Sequence, residues 1–130
     1  KALAALKERV LAATGPDRKI DDAVAKVLGL HSWAGRFHFR EADGQWSRAS
    51  SSSEVTASLD AVVALIDREL PGWQWFIRRY RSDQNFAWGY REDPDDHNRD
   101  ISSGAQWAPT PALALLAAFL SALISQEPNQ

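Results

Sequence analysis

The chain has 130 residues, 45% of them hydrophobic, 25% charged and 10% aromatic, which suits one globular domain able to fold without cross-links. Fifteen basic against 17 acidic side chains give a formal net charge of −2, so no electrostatic reason exists to expect a polyanionic partner or an anionic membrane. Cysteine is absent, which excludes disulfides and thiol chemistry.

Lys1 opens the sequence and methionine is missing, so the natural start is expected upstream. No secretory pattern is visible at the amino end, and with no cysteine this points to the cytoplasm. "ALAALKERVLAA" spaces Leu3, Leu6, Val10 and Leu11 along one side and predicts a helix over 2–14. Gly15 is expected to close it in the left-handed conformation, with Pro16 blocking continuation. "RKIDDAVAKVLGL" repeats the pattern with Ile20, Val24, Val27 and Leu28, predicting a second helix over 18–29 with Asp17 as N-cap and Gly29 as its stop.

Arg36, His38 and Arg40 then alternate with Phe37 and Phe39, the period of a half-buried strand. "ADGQ" offers turn chemistry, and a return strand near Trp46 would complete a hairpin over 33–48. "SRASSSSEVT" reads as a polar, mobile connection. A helix over 56–70 follows, with Leu59, Val62, Val63, Ile66 and Leu70 on one face and Thr56 or Ser58 as cap.

Pro71-Gly72 ends that helix. "WQWFIRRYR" and "FAWGYRE", separated by "SDQN", predict an antiparallel hairpin over 73–92, and "DPDDHNRDISSGAQWAP" reads as a long polar loop. "TPALALLAAFLSALIS" predicts a helix over 110–125 with Thr110 as N-cap and Pro111 at its first position. Its apolar run falls short of the roughly 18 residues of a membrane span, so no membrane association is expected. A helix this apolar belongs in an interior, across a sheet or between partners. The elements combine into one α+β domain over 1–130: a small antiparallel sheet of two hairpins covered by helices, an α/β/α sandwich.

Register within the second hairpin bears on function. Trp73, Trp75 and Ile77 share one face, and Phe76, Arg78 and Tyr80 share the other. On the return strand Phe86, Trp88 and Tyr90 lie together, opposite Ala87 and Gly89. Large apolar groups on both faces predict helical cover on both, with Ala87 and Gly89 admitting a helix backbone closely. Enclosed rings make no stacking platform, and Arg78, Arg79, Arg81 and Arg91 are offset by Asp83, Glu92, Asp93, Asp95 and Asp96. Nucleic acid is therefore not expected as a partner.

"DPDDHNRD" (93–100) lacks the spacing of a calcium loop and reads as a solvated acidic loop; His97 lacks a second nearby histidine for a transition metal, so neither metal nor cofactor is assigned. His38 reads as a surface residue on a polar strand face, and His31 sits at a helix exit. No nucleophile elbow, phosphate loop or dinucleotide fingerprint occurs, and no catalytic residue is assigned. Two binding hypotheses follow. One is a protein-binding module contacting its partner through 93–107, with Ile101 and Trp107, and through a second patch at Trp33 and Trp46. The other is a small-ligand or nucleotide pocket built from Arg78, Arg79, Tyr80, Arg81 and His38. Two apolar faces on the last helix, Leu113, Leu116, Leu120 and Leu123 against Leu115, Phe119 and Ile124, suggest homo-oligomerisation through it.

The strings "ERVLAATGPDRKIDDAVAKVLG", "TASLDAVVALIDRELPGWQW" and "TPALALLAAFLSAL", in this order, resemble the phage ABA sandwich domain, a group of small proteins common in phages and prophages of alphaproteobacteria. The resemblance runs from near residue 7 to about 124. It implies a sheet between helical layers and supplies no catalytic motif. It further implies a small interaction protein of the bacterial cytoplasm, directed at a host or phage protein, a defence component among them.

Overall fold

The computed structural model describes residues 2–40, 42–47 and 51–126. Helices α1 (Ala2–Ala12) and α2 (Arg18–Leu28) are followed by strands β1 (His31–Trp33), β2 (Arg36–His38) and β3 (Ser51–Ser52), which form one antiparallel sheet. Helix α3 (Leu59–Glu69) leads into β4 (Gln74–Arg81), β5 (Gln84–Asp93), β6 (Asp96–Ser102) and β7 (Gln106–Ala108), the second antiparallel sheet. Helix α4 (Pro111–Ser125) completes the α+β fold, with helices covering a small antiparallel sheet as expected. No helix among the described residues is long and apolar enough to cross a membrane.

Local chemistry sets most boundaries. Asp17, Ser58 and Thr110 each accept a hydrogen bond from a first-turn amide, at Lys19, Ala61 and Leu113. Gly29 closes α2 in the left-handed region at φ 71°. Gly15 does not play that part for α1, which ends at Ala12 and reaches the corner without a left-handed glycine. The first hairpin turns earlier than expected, at Ala34-Gly35, where both residues have positive φ as a two-residue I′ turn requires. The Asp43-Gly44 turn does form, but a single bridge between Arg40 and Trp46 closes it.

The expected mobile serine connection lies partly outside the described residues, at 48–50. Its remainder is held: Ser53, Val55 and Thr56 are buried, and Thr56 is fixed to α2 by side-chain hydrogen bonds. The polar loop expected after residue 92 is instead β6 and β7. Both pair with β5, along Tyr90–Asp93 and Asn85–Ala87, on the edge opposite β4.

At the centre lies α4, buried without a break from Ala112 to Leu120. One side packs on β5, β7 and β4, and the other packs on α1 and α3. Both apolar faces are thus covered within the chain as far as Leu120. Leu113, Leu115, Leu116, Phe119 and Leu120 are fully buried, and of the two faces expected to serve self-association only Leu123 and Ile124 stay half-buried. Asn85, Ala87 and Gly89, all buried, share the face of β5 turned toward α4. At Gly89 the close neighbour is a side chain and not a helix backbone: the Trp75 indole fills the space where a Cβ would stand. Gly89 also donates its amide to Ser103 Oγ at 2.8 Å and accepts from the Ser103 amide at 2.8 Å.

Gly89→Ala should therefore displace Trp75 and cost about 1–3 kcal/mol of unfolding free energy. Phe119→Ala, at the centre of α4, should cost about 3–5 kcal/mol. Urea unfolding of both variants checks the order of the two effects.

Candidate functional site

Antiparallel pairing of β4 with β5 sets Phe76 opposite Trp88, Gln74 opposite Tyr90 and Arg78 opposite Phe86, while β7 sets Trp107 opposite Phe86. All these side chains lie on the face away from α4, because Asn85, Ala87 and Gly89 occupy the covered one. Here the expectation of cover on both faces fails. Phe76 is 43% exposed, Trp107 53% and Tyr80 64%, whereas Phe86, Trp88 and Tyr90 are half-buried against one another.

The rings form one continuous row. Tyr90, Phe76, Trp88 and Phe86 lie nearly parallel in that order, with centroid separations of 5.8, 5.0 and 5.4 Å and interplanar angles of 6, 17 and 15°. Trp107 follows Phe86 at 4.6 Å, tilted by 38°, and Tyr80 meets Trp107 edge-on at 6.4 Å. Centroids about 5 Å apart in parallel rings mean offset stacking, so the inner rings occupy one another's faces and turn their edges to solvent. Tyr80 and Trp107 escape this restriction. They line an open groove of about 550 Å³ with Asp83, Gln84, Ala108 and Pro109.

The expected arginine pocket is not assembled. Arg78 lies on the aromatic face opposite Phe86, Arg79 on the opposite face beside Asn85, and Arg81 beyond a β-bulge, with its guanidinium 5.5 Å from the Tyr80 ring centroid. None of the three lines the Tyr80–Trp107 groove. His38 belongs to the other sheet, where its Nδ1 lies 2.9 Å from the Ser47 carbonyl oxygen. Of the residues singled out from sequence, only Tyr80 and Trp107 are brought together at the groove.

His38 has company the sequence did not suggest. Its cross-strand partner is His31, a strand residue and not a helix exit, with ring centroids 6.4 Å apart. Trp33 and Trp46 flank the two imidazoles, and the Arg40 guanidinium covers Trp46 at 4.5 Å. Trp33, 67% exposed, and Trp46 make the second aromatic patch expected on the first sheet. No set of three metal-ligating side chains gathers among the described residues, which do not include the His97 side chain.

A second cavity, of about 400 Å³, lies between the start of α2 and the 53–57 segment, with Asp17, Asp21, Asp22 and Glu54 in its wall. Asp21 is 8% exposed and accepts from the Thr56 amide at 2.9 Å and from its hydroxyl at 2.8 Å. Burial raises its pKa above the ordinary 3.8; the Thr56 hydrogen bonds oppose that shift, and Asp22 and Glu54 add to it. Glu69 is also raised by burial, against the pull of Arg68 at 3.5 Å.

Compared with known proteins, the chain matches no family model, no curated protein and no solved structure.

The raised Asp21 pKa has a signed consequence. A carboxyl that is easier to protonate folded than unfolded contributes stability that is complete below pH 3.8 and is lost as pH rises through its folded value. Asp21→Asn removes that loss. The urea midpoint of the variant minus that of the parent should therefore grow as pH climbs from 3.8 toward neutrality.

Proposed function

We propose that the chain is a non-enzymatic binding module that docks a protein partner on the aromatic face of the second sheet, with Tyr80 and Trp107 as anchors. The row of rings supports this reading most strongly. Six aromatic side chains line one open sheet face while α4 fills the other. A continuous exposed apolar strip of this kind is characteristic of an interaction surface. Base stacking requires free ring faces, and the inner rings have given theirs to one another. Ring edges suit side-on contact with apolar protein groups, and an exposed Tyr and Trp at the end of the row have the character of interface hot spots.

The resemblance to phage ABA sandwich domains supports the same reading, since that group carries no catalytic motif and its setting favours a host or phage protein as partner in the bacterial cytoplasm. A planar small ligand between Tyr80 and Trp107 is the second reading, favoured by their groove of about 550 Å³. The arginines a nucleotide would need do not line it, and Asp83 does.

The two readings separate experimentally. Immobilised chain should capture a specific protein from a bacterial lysate, and Tyr80→Ala with Trp107→Ala should weaken that capture by about 30-fold or more. Both residues are more than half exposed, so the unfolding free energy should fall by no more than about 1–2 kcal/mol, the loss of their ring contacts, and the variant stays folded. Undiminished capture by the double variant would remove the aromatic face from the site. Thermal stabilisation by a nucleotide, absent in the same variant, would favour the second reading.

A further inference from the structure

Strand β4 lies at an edge of the second sheet. Among the described residues it pairs only with β5, so over Gln74–Arg81 its other edge presents a row of backbone N–H and C=O groups without strand partners there. All of its residues except Trp75 are exposed. The two faces beside that edge are both apolar. On the aromatic face stand Phe76 and Tyr80; on the other, Ile77 is 37% exposed and opens into a groove of about 300 Å³ toward α3, walled by Val63, Ile66, Asp67, Trp75 and Leu115, the one carboxylate there being Asp67. An extended segment laid along β4 would place alternate side chains in the groove and against the rings.

Charge narrows the choice of segment. Arg78, Arg79 and Arg81 cluster in the half of β4 nearest the turn, and none has an ion-pair partner among the described residues. The strand sequence QWFIRRYR carries no carboxylate. Pairing β4 with β4 of a second copy would therefore gather arginines along one seam with nothing to neutralise them. Charge on an edge strand discourages such self-addition, yet the same arginines are complementary to an acidic strand.

We infer that the β4 edge takes up an extended acidic segment of another protein as an added strand. Its carboxylates lie opposite residues 78–81, and its apolar side chains lie opposite Trp75 and Ile77, one of them in the groove against Val63. This rests on the protein-binding reading above and names the partner class.

The test pans a displayed library of short random peptides against the full chain and follows amide hydrogen exchange of β4. Support consists of enriched peptides that combine carboxylates with alternating apolar residues and slow exchange at alternate β4 amides. Arg78→Glu with Arg79→Glu should weaken them by about tenfold or more. Val63→Asp should weaken them too while leaving the unfolding midpoint nearly unchanged. The inference is overturned by no enrichment over an unrelated protein, by enriched peptides that leave β4 exchange unaltered, or by slowing of β4 exchange through raised chain concentration alone, which would give the edge to a second copy. Peptides that leave β4 exchange unaltered but lose binding on Tyr80→Ala and Trp107→Ala would refute strand addition and keep the aromatic face. Loss of binding in neither pair of variants would refute both.

Discussion

The architecture follows from one packing constraint: α4 is buried all round, between a sheet on one side and α1 with α3 on the other. Alanines at 112, 114, 117, 118 and 122 keep its backbone close to its neighbours, while Leu113, Leu115, Leu116, Phe119 and Leu120 fill the spaces between them. Each such large side chain, fully removed from water, contributes on the order of 1.5–3 kcal/mol. A helix so close to a sheet favours small groups beneath it, and β5 supplies Asn85 and Ala87 on that face, where Gly89 makes room for the Trp75 indole. Strand alternation then leaves the bulky members of the same strand one destination, the outer face. The open aromatic row is the reverse side of the α4 contact.

That asymmetry was partly legible. "NFAWGY" alternates small and large residues without exception, and the register that sets Phe86, Trp88 and Tyr90 against Ala87 and Gly89 is the one observed. What misleads is the inference from apolar on both faces to covered on both faces. Aromatic side chains on adjacent strands can shield one another, as Phe76 does between Tyr90 and Trp88, and need no second helical layer to lose much of their exposure. Helix termini were legible because their signals are local: Asp17, Gly29, Thr110 and Pro111 act within one turn. Strands β6 and β7 were not, because an acidic, serine-bearing stretch has little β propensity of its own. It becomes strand by completing the far edge of β5.

A polar contact does the corresponding work between α2 and the segment that enters α3. Thr56, almost fully buried, donates its amide and hydroxyl to Asp21 and accepts from the Asp17 amide at 2.8 Å, so the segment entering α3 is held to the first turn of α2. Burying a carboxylate is costly, and it is tolerated because two donors converge on one oxygen. Composition alone made this segment a polar connection. Pairing across 35 residues, which no short window of sequence displays, makes it structure. The same limit applies to His31 and His38, seven positions apart in sequence and opposite one another across a tight turn.

The two strands at the heart of the second sheet have divided its duties. β5 has both edges paired and its small face sealed, so it is committed to stability. β4 has one edge paired, exposed residues on both faces and three arginines near its turn. A flat apolar edge left in this state invites indiscriminate pairing, and the bulge at Arg79–Arg81 together with the positive charge limits it. Such protection is selective. Repulsion rejects strands that are basic, desolvation disfavours strands that leave arginines unpaired, and an acidic partner escapes both penalties. The features that keep β4 from self-pairing thereby restrict what it can accept, and they lie beside the only two rings of the row whose faces are not taken by a parallel stack, Tyr80 and Trp107.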